Sequence, residues 1–124
     1  MARTAAEMVA EAKARVPAVT PEEVAGMSDV LIVDVRDPAE VAASGKVPGA
    51  VNVPRGMLEF KADPASPAHD PDFDPDTTVI VYCASGGRAA LAGAMLQEMG
   101  YTDVRTMGGF KEWADKGLPV EGKG

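Results

Sequence analysis

The order of apolar and polar positions along the chain predicts an alternation of helices and strands. Residues 4–16 carry apolar side chains at helical spacing, and Pro17 ends this helix. A second helical pattern runs over residues 87–99 and a third over residues 110–116. Short, nearly continuous apolar runs are typical of strands in a parallel sheet. We predict strands at residues 18–20, 30–35, 50–53, 78–82 and 104–107.

Two further helices begin with the same design. Thr20-Pro21-Glu22-Glu23 and Asp37-Pro38-Ala39-Glu40 each combine a capping side chain, a proline at the first helical position and a glutamate three residues after the cap. Gly45 is expected to end the second of these helices. Strands that alternate with helices in this way indicate an α/β fold with a parallel sheet.

Length and charge exclude several classes of function. The 124 residues fit one domain that needs neither a metal nor a disulfide, and we expect no cofactor. A net charge of −7 argues against nucleic acid and against an anionic membrane surface. No apolar run is long enough to cross a bilayer, and the N-terminus lacks the apolar core of a secretory signal. We therefore expect a cytoplasmic protein.

The aspartate- and proline-rich stretch over residues 63–76 predicts a solvated loop. Its spacing superficially suits calcium. Pro75 stands where a calcium loop requires glycine, and Val81 stands where it requires glutamate. We therefore predict no metal site in this stretch.

The residues that suggest chemistry follow the strongest predicted strand. Cys83, the only cysteine, lies at its carboxyl end, where open α/β sheets bind ligands. Two glycines then allow a tight turn that points successive N–H groups into one concavity. The following helix adds its positive end, and Arg88 adds a permanent charge. This environment favours a thiolate, which is the nucleophilic form of cysteine. We therefore predict that Cys83 is catalytic rather than an inert core residue.

Four blocks of the sequence, in order, resemble the single-domain rhodaneses, which are thiosulfate-type sulfurtransferases. The resemblance covers about residues 19–120 and leaves residues 1–17 as an N-terminal helical extension before a domain at residues 18–124. The blocks are Leu31-Ile32-Val33-Asp34-Val35-Arg36-Asp37-Pro38-Ala39-Glu40, Gly45-Lys46-Val47-Pro48-Gly49-Ala50-Val51-Asn52-Val53-Pro54, Cys83-Ala84-Ser85-Gly86-Gly87-Arg88, and Gly108-Gly109-Phe110-Lys111-Glu112-Trp113 with Gly117-Leu118-Pro119-Val120.

The resemblance implies a five-stranded parallel sheet with helices on both faces. It also implies that Cys83 takes a sulfane sulfur from a donor anion such as thiosulfate, releases sulfite, and passes the persulfide sulfur to cyanide, a thiol or an acceptor protein. The implied substrate cradle is Ala84, Ser85, Gly86, Gly87 and Arg88, with Arg55 as a further candidate for holding the anion. Asp34 and Arg36 are expected to support the end of the sheet, and Trp113 to fill the core. Lys46 stands where the family usually has histidine, a position distinct from the nucleophile.

Two other functions are also compatible with the sequence. Phosphatases and arsenate reductases also place a cysteine and an arginine around an anion, but with five residues between them, whereas this chain has four. The shorter loop suits a single sulfur better than a tetrahedral oxyanion. The second reading is a module that relays persulfide sulfur or binds a partner protein without turnover.

Overall fold

The computed structural model describes residues 2–122; Met1, Lys123 and Gly124, which the predicted extension and domain include, lie outside the described residues. The helices are α1 Ala5–Arg15, α2 Pro21–Ala25, α3 Pro38–Ser44, α4 Leu58–Ala62, α5 Gly87–Glu98 and α6 Phe110–Asp115, with a 3-10 turn at Arg55–Met57. The strands are β1 Val30–Asp34, β2 Val51–Asn52, β3 Thr78–Cys83 and β4 Val104–Gly109. The predicted alternation of helices and strands is therefore confirmed.

The strands form one parallel sheet in the order β2-β1-β3-β4. The expectation of five strands is wrong for the described residues. The segment predicted as the first strand makes only an isolated bridge between Ala18 and Thr106. Pro17 has no N–H to continue the ladder, and Thr20 already caps α2. A longer strand cannot form between these two residues.

Alternate side chains of β3 point to opposite faces of the sheet, each of which is covered by helices. Val79, Val81 and Cys83 face a core that includes residues of α4 and α5. Ile80 and Tyr82 face a second core that includes residues of α2 and α6, with Trp113 among them. Helices on both faces are thus as predicted. The alternation also places Cys83 on the same face as the beginning of α5.

A buried ion pair lies at the carboxyl end of β1. Asp34 is fully buried and Arg36 is 3% exposed. The Arg36 guanidinium donates to both carboxylate oxygens of Asp34, at 3.0 Å from Nε to Oδ1 and 2.7 Å from Nη2 to Oδ2. It also donates to Ser44 Oγ and the Gly45 carbonyl, both at 2.8 Å, and lies 4.5 Å from the Phe110 ring centroid. The pair therefore joins β1 to the end of α3.

Helix α1 packs directly on α5. A Cβ on Gly93 would lie 2.9 Å from Val16 Cγ1, so the Val16 side chain packs against the backbone of α5 where position 93 is glycine. Ala12 and Val16 are buried at this contact. The Gln97 side chain adds a hydrogen bond of 3.2 Å to the Arg15 carbonyl. The N-terminal helix is therefore fixed against the helix that follows Cys83.

The loop at residues 63–76 is held by short local hydrogen bonds. Carboxylates accept from N–H groups two residues later, as from Ala65 to Asp63 at 2.8 Å and from Asp72 to Asp70 at 2.9 Å. Phe73 is 1% exposed and fixes the loop to the core. The prediction of a loop is confirmed.

Among residues 2–122, no helix combines the length and the apolar character that crossing a bilayer requires.

Candidate active site

The sulfur of Cys83 lies beneath the loop that joins β3 to α5. Its Sγ accepts a hydrogen bond from Gly86 N at 3.0 Å and a longer one from Ala89 N at 3.4 Å. The side chain is 1% exposed and adjoins the apolar core on its other side. N–H donors aimed at a sulfur shielded from water stabilise negative charge on it. The predicted convergence of backbone amides on this thiol is thus present, in a narrow cradle.

The other loop residues occupy distinct positions. Ala84 and Ser85 form the exposed outer turn. Gly86 is buried and has a φ of 112°, a conformation that side chains rarely adopt. Gly87 is the first residue of α5. The left-handed backbone at Gly86 directs its N–H toward Cys83 Sγ. A residue with a side chain would be strained in this conformation.

Arg88 is held by a carboxylate from another part of the chain. Its Nη1 and Nη2 donate to Glu40 Oε2 and Oε1 at 2.7 and 2.9 Å. Glu40 Oε2 also accepts from the Asp37 N–H at 2.9 Å, which closes the cap of α3. These two sets of hydrogen bonds, that of Arg88 first, lower the pKa of Glu40 to about 2. The same ion pair raises the pKa of Arg88. The Glu40 carboxylate therefore fixes the position of the Arg88 charge, in the first turn of α5.

We predict that Glu40→Gln lowers stability at neutral pH by about 0.5–1 kcal/mol, a modest effect because both side chains are more than a third exposed and solvent screens the pair. The folded-state pKa is depressed, so this contribution is present above the ordinary value of 4.5 and is lost as pH falls toward 2. Urea unfolding at several pH values measures the difference from wild type. Additive losses for Glu40→Gln and Arg88→Met in the double variant would contradict the pairing.

A bulge in β4 brings its end beneath the loop. Val81 pairs with Thr106, whereas Tyr82 pairs with Gly108 and Cys83 with Gly109, so one extra residue enters β4. A Cβ on Gly109 would lie 2.2 Å from the Ala84 carbonyl oxygen. Position 109 must therefore be glycine for the loop to rest where it does.

We predict that Gly109→Ala displaces the loop and destabilises the protein by about 1–3 kcal/mol. The clash is with backbone, which cannot rotate away as a side chain would. Thermal unfolding measures the loss. The matched control is Gly56→Ala, where no atom lies within 4 Å of the new Cβ and stability should change by less than about 1 kcal/mol. Equal losses in the two variants would contradict this account.

The Arg55 guanidinium, predicted to help hold the substrate anion, pairs with a carboxylate of the chain itself. Its N–H donates to the Val35 carbonyl at 3.1 Å, and its Nη1 donates to Glu59 at 2.9 Å. Within residues 2–122, no hydrogen bond joins its side chain to the loop at residues 83–88. Its role in holding an anion stays a prediction.

Sequence reasoning missed two contributors to the site. The sequence indicates Glu40 only as part of a helix cap, and it predicts that the last strand ends at residue 107, whereas β4 continues to Gly109. Repeated glycines at the end of a strand are a usable signal of close backbone approach. The partnership of Glu40 with Arg88 spans 48 positions and leaves no local pattern.

Comparison with known proteins gives matches over most of the chain. A family model described as the rhodanese-like domain matches residues 20–116. A sulfurtransferase of Allochromatium vinosum is 36% identical over 100 residues, covering 80% of this chain and 85% of the relative. A chloroplast thiosulfate sulfurtransferase of Arabidopsis thaliana is 37% identical over 93 residues, covering 71% and 77%. The solved structure of a Rhodopseudomonas palustris protein of unknown function, described as a possible tyrosine phosphatase, is 41% identical with a TM-score of 0.88 and covers 98% of this chain and 96% of that one.

Proposed function

The chain belongs to the rhodanese-like domain family, and we propose that it transfers a sulfane sulfur from a thiosulfate-like donor to a thiophilic acceptor through a persulfide on Cys83. Its relatives include sulfurtransferases, which supports sulfur transfer in general. The donor, the acceptor and the residue roles are the parts that we propose.

The observation that carries the proposal is the cradle around Cys83 Sγ. Two N–H groups, from Gly86 and Ala89, already converge on an atom that is nearly inaccessible to water. A terminal sulfur added to Sγ carries negative charge, and hydrogen-bond donors in a water-poor site stabilise such charge strongly. A site this narrow favours the addition of one sulfur atom over the binding of a bulky group.

The proposed reaction has two displacement steps. The Cys83 thiolate attacks the sulfane sulfur of thiosulfate; an S–S bond to the enzyme forms, the S–S bond of thiosulfate breaks, and sulfite leaves with its electron pair. An acceptor thiolate or cyanide then attacks the terminal sulfur of the persulfide. That sulfur moves to the acceptor, and the electron pair of the broken bond returns to Cys83 as thiolate. No external oxidant or reductant is needed.

The phosphatase reading has one source of support, the description of the Rhodopseudomonas palustris protein. Two features of this chain argue against it. Four residues separate Cys83 from Arg88, and both terminal nitrogens of Arg88 already donate to the Glu40 carboxylate. A phosphoryl group needs several donors around three oxygens, whereas the N–H groups of Gly86 and Ala89 donate to Cys83 Sγ itself.

The decisive experiment is incubation with thiosulfate followed by intact mass measurement. We expect one added sulfur per chain, located on the peptide that contains Cys83, together with one sulfite released. Absence of the adduct combined with hydrolysis of an aryl phosphate would replace the proposal with the phosphatase reading. An adduct that forms but is not removed by cyanide or by thiols would favour a dedicated relay to a partner protein. Neither activity would favour a binding module.

A further inference from the structure

The sulfur atom that the proposed reaction needs is covered in this structure. Cys83 is 1% exposed, so the surrounding atoms exclude even water from nearly the whole residue. A sulfur donor is larger than water, and its sulfane sulfur has to touch Sγ for the new S–S bond to form. Sulfur uptake therefore requires part of the site to move.

The part that can move lies on the outer side of the sulfur. On the inner side, Cys83 belongs to the apolar core, and its strand β3 is paired with a neighbouring strand at each edge. On the outer side, the loop at residues 84–86 covers the sulfur, and Gly86 N lies 3.0 Å from Sγ. Moving β3 would break the sheet, whereas moving the outer loop leaves the sheet intact.

Few hydrogen bonds hold this outer loop in place. Gly86 donates to Cys83 Sγ, and its carbonyl accepts from Ala90 N at 3.0 Å. Within residues 2–122, neither Ala84 nor Ser85 has a backbone hydrogen bond to another part of the chain, and both are exposed. Segments with few and exposed backbone contacts open at low cost in free energy.

Two glycines and an adjacent pocket give the outer loop freedom to move. Gly86 has a φ of 112°, and Gly87 begins α5. Gly86 also lines a pocket of about 310 Å³ between α1, the end of β4 and the loop. The atom nearest to a Cβ on Gly86 would be Gly108 Cα, at 3.8 Å, which is an ordinary contact. The loop is thus attached to the sulfur on one side and has open space on the other.

We propose that residues 84–86 form a lid that opens at Gly86 and Gly87 to admit the sulfur donor and closes over the loaded Cys83. The identity of the donor rests on the proposed function, whereas the opening serves any reagent that reaches Sγ. The open site keeps the N–H of Ala89, at 3.4 Å from Sγ, because this residue belongs to α5. Closure brings the Gly86 N–H to the charged terminal sulfur and excludes water from the persulfide.

The test is alkylation of Cys83 by iodoacetamide, which requires access to Sγ but no sulfur transfer. The thiolate attacks the methylene carbon, a C–S bond forms, and iodide leaves with the electron pair of the broken C–I bond. The reaction is followed by intact mass at about pH 9.5, where an ordinary thiol is largely ionised, so differences in ionisation between variants contribute little. Peptide mapping locates the adduct on the single cysteine.

Two glycine substitutions should change the alkylation rate in opposite directions. Gly86→Ala places alanine at a φ that side chains rarely adopt; opening relieves this strain, so alkylation should be at least about fivefold faster. Gly87→Ala fits the closed loop, with Val9 Cγ2 at 3.9 Å from the new Cβ, and reduces the number of open conformations. Its alkylation should be about twofold to fivefold slower. Gly26→Ala, at the end of α2, is equally uncrowded and is the matched control with the wild-type rate.

Thermal unfolding establishes that each variant is folded. A rate equal to that of Gly26→Ala in either folded variant would overturn the lid, whether or not the protein takes up sulfur. If Gly86→Ala does not fold, the rate of Gly87→Ala decides alone. Variants that follow the expected order in a protein that takes up no sulfur from thiosulfate would support the lid and overturn the proposed function.

Discussion

Replacing Cys83 with serine abolishes the uptake of sulfur from thiosulfate, with an expected loss of at least about a thousandfold. The hydroxyl is a far weaker nucleophile than a thiolate, and the loop supplies backbone N–H donors but no base that would activate it. Because Cys83 is the only cysteine, no second thiol can take up the sulfur. Intact mass after incubation with labelled thiosulfate measures the loss.

The serine variant is also its own control for folding. Its Oγ can accept the hydrogen bond from the Gly86 N–H, so we expect the thermal transition to stay cooperative. Retention of labelled sulfur by a folded Cys83→Ser protein would refute the assignment of the nucleophile. Loss of uptake in an unfolded variant would not support it, which is why the two measurements belong together.

The second large effect concerns stability. Arg36→Met leaves the buried Asp34 carboxylate without its cation, and we expect a loss of about 3–5 kcal/mol in the free energy of unfolding. The guanidinium also satisfies Ser44 Oγ and the Gly45 carbonyl, so its removal frees the end of α3 as well. Urea denaturation at neutral pH measures the loss from the shift of the midpoint.

The chain offers a matched exposed pair. Arg105 donates to Asp103 two positions earlier, at 2.9 Å, with side chains that are 35% and 41% exposed. Solvent can replace that ion pair, so Arg105→Met should shift the urea midpoint much less than Arg36→Met does. If the two variants lost similar amounts, burial would not be the reason for the importance of Arg36.

Much of the fold follows from local signals in the sequence. The caps at Thr20 and Asp37 and the apolar run of β3 place their elements correctly, because capping and side-chain alternation act over a few residues. The fifth strand that we predicted does not form, and the reason is also local. The two residues between Pro17 and the helix cap at Thr20 are too few to form a ladder, although their composition suits a strand.

The site was predictable only in part. The position of Cys83 and the turn at Gly86 follow from one segment, since a strand, two glycines and a helix determine each other locally. The partner of Arg88 does not, because only the tertiary structure brings Glu40, 48 positions away, to this cation. Arg55 pairs with Glu59 at the local i,i+4 spacing, and this pairing says nothing about an anion. Lys13 Nζ lies 4.0 Å from the position of a Cβ on Gly86, and no local pattern links residues 13 and 86. The number of charged residues in the sequence does not indicate which cation lies beside the Cys83 loop.

Residues 17–19, which lie beside β4, affect whether copies of the protein can associate by strand pairing. Pro17 O and Val19 N both face Thr106, so within this segment only Ala18 turns its N–H and carbonyl outward. At the opposite margin, β2 is two residues long. A foreign strand therefore finds almost no continuous backbone to pair with on either side. Protection of this kind is a recognised safeguard against aggregation by strand addition, and here a single proline and one bridge provide much of it.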